Sequence, residues 1–201
     1  FLWISHVPDV NGDGIDELMG VKKDGTMHLY WGRGMGRYSH TGQIGRGWNT
    51  VRNITVLGSN HGRVEVVAIS RSQHLRHYYL DGRKGLTGLR VIGQNWHSIT
   101  KTTGAGDANR DGVNDLYAVT TSGDVRIYTF NRGRVGSVRT AGHGWKGYTA
   151  FFSPGHLSGN ATPDLVGRRA DGTLWLYQNQ QGRFGAAKQI GRGWKSFTLF
   201  G

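Results

Sequence analysis

Short apolar segments separated by polar turns run along the whole chain. Examples are DLYAVT at 115–120 and TLWLY at 173–177, in which β-favouring residues are bounded by Gly, Asp and Asn. This arrangement is typical of strands joined by tight turns. No stretch shows a convincing helical period. The pattern therefore predicts an all-β protein.

The apolar pattern is repeated four times. The hexamer QIGRGW occurs at 43–48 and at 189–194, and its variants VIGQNW and TAGHGW lie between the two copies. The spacings between the four tryptophans are 48, 49 and 49 residues, at Trp48, Trp96, Trp145 and Trp194. A tyrosine ends a second shared element in each repeat, at Tyr30, Tyr78, Tyr128 and Tyr177. We assign the repeats to 1–50, 51–97, 98–146 and 147–195.

Each repeat is expected to form four short strands. Four-stranded units with a period of roughly 40–50 residues are typical of the blades of a β-propeller. The sequence therefore predicts a single β-propeller domain over 1–201, built of antiparallel four-stranded blades. The first-strand pattern occurs a fifth time at 196–200, so the prediction is four blades plus one surplus strand. The chain closes by itself, or other repeats or a second chain complete a larger ring; both alternatives remain open.

The amino-acid composition further limits the kinds of protein and binding site that the chain can form. The chain has 34 glycines, which suits tight turns, and no cysteine, which excludes disulfides and thiolate metal sites. The net charge is +12, with the basic residues scattered, so the surface is expected to attract polyanions as a diffuse field. Nucleic acid is not the expected partner. No run reaches membrane-spanning length, and a start at Phe1 without a signal-like segment predicts a processed piece of a longer protein.

Seven of the 13 acids lie in two short loops, DVNGDGIDE at 9–17 and DANRDGVND at 107–115. Oxygen-bearing side chains at alternate positions around a glycine suit a hard cation such as Ca²⁺, which takes six to eight oxygen ligands. A solvated turn rich in Asp and Asn is the alternative, but crowded carboxylates would repel one another. We predict two calcium sites that stabilise blade edges, with side-chain or backbone oxygens from Asp9, Asn11, Asp13, Ile15 and Glu17, and from Asp107, Asn109, Asp111, Val113 and Asp115.

The other two repeats lack these acids. The corresponding segments are LGSNHGRVE, which ends at Glu65, and HLSGNATPD, which ends at Asp164. We expect these two loops to have lost the metal and to be held by hydrogen bonds.

The two acidic loops resemble the calcium-binding loop of FG-GAP and VCBS repeats. The segment 171–200, DGTLWLYQNQQGRFGAAKQIGRGWKSFTLF, resembles repeats that end many actinobacterial secreted hydrolases. It is also similar to tachylectin-like lectin propellers, which share the IGxGW element. This resemblance implies a secreted, cell-wall-associated, non-catalytic binding module, and it implies the same calcium ligands.

Candidate ligand contacts are positions that vary within the constant frame of the repeat. Two residues before the shared tyrosines lie His28, Arg76, Arg126 and Trp175, and after them lie Trp31, Tyr79, Phe130 and Gln178. Aromatic faces beside Arg or His suit a sugar ring with an anionic substituent. From these positions we select His28, Trp31, Arg76, Tyr79, Arg126, Phe130 and Trp175. The four repeated tryptophans and tyrosines are expected to pack adjacent blades instead.

No Ser/His/Asp or Cys/His set and no isolated carboxylate pair points to catalysis. We therefore predict a secreted carbohydrate- or cell-wall-binding module that is stabilised by calcium and targets an attached hydrolase. Alternatives are an integrin-like propeller that binds proteins, a polyanion binder driven by charge, and a degraded enzyme domain. A lectin should be much less sensitive to salt than a polyanion binder.

Overall fold

The computed structural model describes residues 1–197, in which sixteen β-strands and four short 3₁₀ turns are formed. Within this part of the chain, no helix has the length and hydropathy needed to span a membrane. The all-β prediction is confirmed.

The chain divides into two compact units, and the first runs from Phe1 to Trp96. It contains two antiparallel sheets, each with its strands in chain order. The first sheet consists of β1 (Trp3–Val7), β2 (Glu17–Val21), β3 (Met27–Gly32) and β4 (Tyr38–Gly45). The second sheet consists of β5 (Val51–Asn60), β6 (Arg63–Ser70), β7 (Leu75–Asp81) and β8 (Gly85–Gly93).

The second unit begins at His97 and also contains two four-stranded antiparallel sheets. The third sheet of the chain consists of β9 (Ile99–Gly106), β10 (Asp115–Thr120), β11 (Val125–Asn131) and β12 (Arg134–Gly142). The fourth consists of β13 (Tyr148–Phe152), β14 (Leu165–Arg169), β15 (Leu174–Tyr177) and β16 (Lys188–Gly191).

The predicted fold class is confirmed: the protein is a β-propeller of four blades with four antiparallel strands each. The 3₁₀ turns begin at the four repeated tryptophans and link each blade to the segment that follows: Trp48–Thr50, Trp96–Ser98, Trp145–Gly147 and Trp194–Ser196. The surplus strand predicted at 196–200 lies largely outside the described residues, and Ser196 belongs to the last 3₁₀ turn.

The IGxGW element is explained by the packing of its tryptophan. A Cβ atom on Gly45 would overlap the indole nitrogen of Trp48, and one on Gly93 would overlap that of Trp96. The first glycine of the element therefore lets the ring lie against the end of the fourth strand. The residue just before the tryptophan has a left-handed backbone, with φ of 74° at Gly47 and 60° at Asn95. Glycine and asparagine are the residues that adopt this conformation most readily.

The repeated aromatic residues pack neighbouring blades within each unit. The ring centroid of Trp48 lies 5.2 Å from that of Tyr78 in the next blade, and the rings of Trp145 and Tyr177 are 4.5 Å apart. Three of the four tryptophans are buried, whereas Trp194 is 37% exposed. Around them lie the apolar residues of the two cores, among them Met19 and Val66 in the first unit and Ile127 and Leu165 in the second.

Candidate functional site

The first acidic loop, residues 9–17, folds through bonds between its own residues. The Asp9 carboxylate accepts the backbone N–H of Gly12 at 2.7 Å. Asn11 and Asp13 each accept the backbone N–H two residues further on at 2.9 Å, the latter from Ile15. Such side-chain-to-backbone bonds are a local property of Asp and Asn, so the sequence of the loop is sufficient to specify its turns.

Three carboxylates of this loop converge. Ligand oxygens of Asp9, Asp13 and Glu17 all lie within 4.8 Å of one another. Glu17 is fully buried, and it accepts hydrogen bonds from the Val10 N–H at 2.8 Å and the Asn11 amide at 2.9 Å. Burial raises the pKa of Glu17 against the lowering effect of the Val10 bond, and the charges of Asp9 and Asp13 raise it further. Negative charges this close fit a cation, which would remove their repulsion.

The second acidic loop, residues 107–115, repeats the same turns. Asp107 accepts the backbone N–H groups of Asp111 at 3.0 Å and Gly112 at 2.8 Å, and Asp111 accepts that of Val113 at 2.9 Å. The Asn109 amide donates to Asp111 at 2.9 Å. Among residues 1–197, only the carboxylates of the first loop form a set of three within 4.8 Å, so the second loop is more open.

Asp115 supplies the best evidence for a cation in the second loop. It is fully buried, and its Oδ2 accepts a long 3.2 Å bond from the Ala108 N–H, while Oδ1 has no hydrogen-bond partner within the described chain. Burial, together with the charges of Asp111 and Asp107, raises the pKa of Asp115 to about 7. An unpartnered buried carboxylate oxygen is costly, and a bound cation would satisfy it.

The other two repeats satisfy the equivalent buried acid with protein groups. Asp164 accepts the Ser158 N–H at 2.6 Å, the Ser158 hydroxyl at 3.0 Å and the Asn179 N–H at 3.1 Å. Glu65 accepts the Asn60 amide at 2.9 Å, and the ring nitrogen of His77 lies 3.4 Å away. Hydrogen bonds therefore hold the two loops that lack the acidic pattern.

The donor set of the two acidic loops consists of carboxylate and amide oxygens. Oxygen ligands on an irregular loop suit Ca²⁺, whereas Mg²⁺ requires a stricter octahedron and soft transition metals prefer nitrogen or sulfur. The residues present thus fit calcium in both loops, with the closer convergence in the first.

A cavity of about 690 Å³ lies beside the first acidic loop, within the first unit. Its volume is in the range of small-ligand sites. Two of the predicted ligand contacts, Trp31 and Tyr79, line it together with residues 9–13 of the loop. The lining also contains three arginines, Arg33, Arg63 and Arg83. We call this feature the loop cavity.

An arginine guanidinium lies over each of the two aromatic rings in the loop cavity. The guanidinium carbon of Arg63 lies 4.0 Å from the ring centroid of Tyr79, and that of Arg33 lies 5.4 Å from Trp31. The Arg33 Nε also donates to the Ser39 hydroxyl at 2.8 Å. Stacking on the π-face and this bond restrict the arginine side chains, so their remaining donors are held near the cavity.

The second unit does not repeat this set of side chains. Thr129 and Gln178, which directly follow the shared tyrosines, replace Trp31 and Tyr79. Two residues before the buried acid, Thr162 of the fourth repeat stands where the second repeat has Arg63. Since the second unit forms the same four-stranded blades without this set, the aromatic and arginine residues of the loop cavity are not a requirement of the fold.

The interpretation of Phe130 as a ligand contact is wrong. Thr129, not Phe130, follows Tyr128 and is equivalent to Trp31 and Tyr79. Side chains alternate between the two faces of a strand, so a shift of one residue places Phe130 on the opposite face. The ring is 1% exposed and belongs to the core.

His28 lies inside its blade rather than on an open surface. It is 7% exposed, and its ring nitrogens bond to His40 at 2.8 Å and to the Thr26 hydroxyl at 2.9 Å. Burial, together with the charge of Lys22, lowers the pKa of His28. These contacts give His28 a packing role.

The remaining three candidates are half-buried and separate from the loop cavity. Arg76 lines a smaller cavity of about 240 Å³ together with Trp48 and Tyr78. Trp175 lies under Arg169, whose guanidinium carbon is 4.1 Å from the ring centroid, and its N–H donates to Thr173 at 2.8 Å. Arg126 lies on β11, opposite Ala118 and Thr140. The structure therefore brings together only Trp31 and Tyr79 of the predicted contacts.

Sequence reasoning missed the three arginines of the loop cavity. Arg33 is recognisable in retrospect, because it lies two residues after Trp31 and so projects to the same side of an extended chain. Arg63 and Arg83 carry no such local signal, since Arg63 begins β6 and Arg83 lies in the turn between β7 and β8.

No family model matches the sequence, and no curated protein is similar to it. The fold, however, is similar to that of solved structures, among them a lectin. The BP39L lectin from Burkholderia pseudomallei matches with a TM-score of 0.64 and 12% identity over 93% of this chain and 55% of the lectin.

AofleA from Arthrobotrys oligospora matches with a TM-score of 0.57 and 13% identity, over 94% of this chain and 57% of AofleA. A variant of AofleA with three arginines changed to alanine matches with a TM-score of 0.58 and 13% identity, over 94% of this chain and 56% of the variant. The chain thus spans little more than half the length of these structures. At this identity the similarity establishes the β-propeller fold that is shared with lectins.

Proposed function

We propose that the protein is a non-catalytic, carbohydrate-binding propeller module whose ligand occupies the loop cavity. The observation that carries this proposal is the pairing of Trp31 with Arg33 and of Tyr79 with Arg63 in one cavity. At the positions equivalent to Trp31 and Tyr79 the second unit has Thr129 and Gln178, so it does not repeat these two pairs.

The chemistry of the loop cavity suits a sugar. Aromatic faces pack against the apolar face of a pyranose ring, while arginine N–H groups and aspartate oxygens form hydrogen bonds to its hydroxyls. The similarity of the fold to BP39L, a lectin, supports the same function and a non-catalytic role.

The proposal includes one calcium ion in each acidic loop. The convergence of Asp9, Asp13 and Glu17 supports the first, and the unpartnered oxygen of Asp115 supports the second. A bound cation would neutralise the carboxylates and fix the loop that lines the cavity. The loops would then act as FG-GAP and VCBS loops do, at the edges of blades.

The wider setting is proposed from the resemblance of the repeats. A secreted module that carries an attached hydrolase to cell-wall polymers would combine the calcium loops with the basic surface. Other repeats or a second chain completing a larger ring would be compatible with such a module.

The test is calorimetric titration of the calcium-loaded chain with muropeptides, amino sugars and acidic oligosaccharides. We expect saturable binding that persists at high salt. The Trp31→Ala variant should weaken it by about tenfold, which corresponds to about 1.4 kcal/mol. Tyr38→Ala removes a 48% exposed aromatic ring of the same unit outside the loop cavity, so it should bind like the parent chain.

Three outcomes would contradict the proposal. Equal affinity of both variants would place the ligand outside the loop cavity. Binding of every polyanion with a steep loss of affinity at high salt would favour the charge-driven alternative. The net charge of +12 is the observation that supports this alternative. Absence of binding to every glycan would favour a protein partner. Circular dichroism of both variants excludes unfolding as the cause, because Trp31 also packs on the core.

A further inference from the structure

The formal charges that line the loop cavity balance. Three aspartates, Asp9, Asp13 and Asp81, face three arginines, Arg33, Arg63 and Arg83. The lining therefore carries no net charge when the protein alone is counted. Since Asp9 and Asp13 belong to the first acidic loop, however, a divalent cation bound there would change the net charge of the cavity lining from zero to +2.

The third aspartate is already engaged in its own turn. Asp81 accepts the backbone N–H of Arg83 at 2.8 Å and that of Lys84 at 2.9 Å. Asp9 is engaged in a similar way by the N–H groups of Gly12 and Gly14, both at 2.7 Å. With calcium bound by Asp9 and Asp13, Asp81 would be the one carboxylate of the lining left to balance three arginines, so the arginines would be short of counter-charge.

We propose that the loop cavity binds an acidic sugar of the uronate type, and that its affinity for this sugar depends on the cation in the first acidic loop. This inference rests on the proposed function and specifies its ligand. A uronate has its carboxylate directly on the ring, so one residue of the glycan meets both features of the cavity. Its ring packs beside Trp31 or Tyr79, and its carboxylate pairs with the guanidinium of Arg33 or Arg63.

The arginine geometry favours a carboxylate over a neutral hydroxyl. Stacking on Tyr79 holds the planar guanidinium of Arg63, and a guanidinium can donate two parallel hydrogen bonds to a carboxylate. Without calcium, the carboxylates of Asp9 and Asp13 lie in the same cavity and oppose a second anion. With calcium, this repulsion is removed, so the anionic ligand gains affinity while a neutral ligand is barely affected.

Binding linkage makes the effect reciprocal. If calcium tightens the binding of the acidic sugar by a given factor, the sugar must tighten the binding of calcium by the same factor. We expect a factor of roughly five to ten, since two charges change at a distance of several ångströms near the surface.

The experiment uses the full chain and a tetrasaccharide of alternating glucuronate and N-acetylglucosamine. Its matched neutral control is the same tetrasaccharide with the carboxylates reduced to hydroxymethyl groups. Calorimetry in calcium and in chelator should show tighter binding of the acidic form, and only that form should respond to calcium. Calcium titration with and without the acidic sugar should show the reciprocal shift.

Two pairs of variants separate the local effect from overall charge. Arg63→Gln should abolish the preference for the acidic form, whereas Arg90→Gln, an exposed residue of β8 outside the cavity, should retain it. Asp13→Asn should abolish the calcium response, whereas Asp24→Asn, which also removes one carboxylate from the first unit, should retain it.

Equal affinity for the two tetrasaccharides, in calcium and in chelator, would overturn this inference and leave the proposed glycan-binding function intact. The same holds if other glycans bind in the cavity and the acidic tetrasaccharide does not. If no glycan binds under any condition, both the inference and the proposed function fail. A calcium response that persists in Asp13→Asn would overturn the coupling to the first loop.

Discussion

A buried acid near the start of the second strand of each blade shows how the neighbouring sequence determines which group satisfies a carboxylate. Glu17, Glu65, Asp115 and Asp164 occupy equivalent positions, and all four are buried. Where Ser158 or Asn60 is present, a protein donor satisfies the acid. The two acidic loops differ: Glu17 accepts the Val10 N–H and the Asn11 amide, whereas Oδ1 of Asp115 has no protein donor in the described chain. The proposed calcium ion would satisfy this oxygen of Asp115.

His28 gives the protein a predicted sensitivity to mild acid. Burial lowers its folded-state pKa, so the unfolded chain binds a proton more readily than the folded one. The stability that neutral His28 contributes is fully present above its ordinary pKa of about 6.5 and is lost as the pH falls toward the lowered value.

We therefore expect the free energy of unfolding to fall between about pH 7.5 and about pH 5.5. The fall should be smaller for His28→Gln, which keeps a polar group near Thr26 and does not titrate. Urea denaturation of both proteins at the two pH values, in saturating calcium, measures the difference. Equal losses in the two proteins would contradict a role for His28.

The assignment of Phe130 shows what sequence reasoning lacks at the residue scale. The shared tyrosines were located correctly. The candidate contact after Tyr128, however, was placed one position too far along the chain, so the core residue Phe130 was selected instead of Thr129. Strand register provides the check, since Tyr128 pairs with Leu116 as Tyr30 pairs with Leu18. The sequence alone contains no cross-strand pairing with which to test such a displacement.

At the scale of the element, the IGxGW segment was predictable because its constraints are local. The tryptophan, the preceding glycine and the left-handed residue lie within a few positions, and each repeat contains them. We expect Gly45→Ala to destabilise the protein by about 1–3 kcal/mol, because the new methyl group overlaps the Trp48 ring.

Gly147→Ala is the matched control for this substitution. A Cβ atom at Gly147 would meet no heavy atom within 4 Å, and the residue has no left-handed backbone. Its effect should stay within about 0.5 kcal/mol. Comparison of the two variants by chemical denaturation tests the packing explanation, which an equal effect of both would refute.

The loop cavity, by contrast, was not predictable as an element. Its wall combines residues 9–13 and Arg33 of the first repeat with Arg63 and Arg83 of the second. The repeat pattern predicts the blades, but it does not say which turns of neighbouring blades approach each other. Trp31 and Tyr79 were recognised because they vary within a constant strand position, whereas the arginines lie in connecting segments or at the start of a strand, at three unrelated positions of the repeat.

At the scale of the whole molecule, calcium should bind with a stoichiometry of two per chain. Asp13→Asn and Asp111→Asn should each reduce this number to one, because each removes a carboxylate from one loop only. Each variant should also reduce the calcium-induced rise in melting temperature. Calorimetric titration with calcium measures the stoichiometry, and a magnesium titration should show weaker binding.

An unchanged stoichiometry in both variants would contradict calcium sites in these loops. If Asp13→Asn alone lowered the number, the first loop would be supported and the second refuted. The wider separation of the carboxylates around Asp111 makes the second loop the more demanding test.

The net charge of +12 acts on the whole surface rather than at one site. It should give weak retention on any polyanion at low salt, and this retention should disappear as the ionic strength rises. The proposed binding in the loop cavity would depend on stacking and on short hydrogen bonds as well as charge, so a larger share of it should survive at high salt.

The central claim is that a glycan binds in the loop cavity of the first unit. Amide NMR of the ¹⁵N-labelled, calcium-loaded chain during titration with the best-binding oligosaccharide tests this claim most directly. We predict saturable shifts that include the cavity amides of Gly12, Gly62 and Gly82, while Gly112 and Gly182 of the second unit do not shift. Shifts confined to the second unit or to the smaller cavity around Trp48, or no saturable shifts at all, would contradict it.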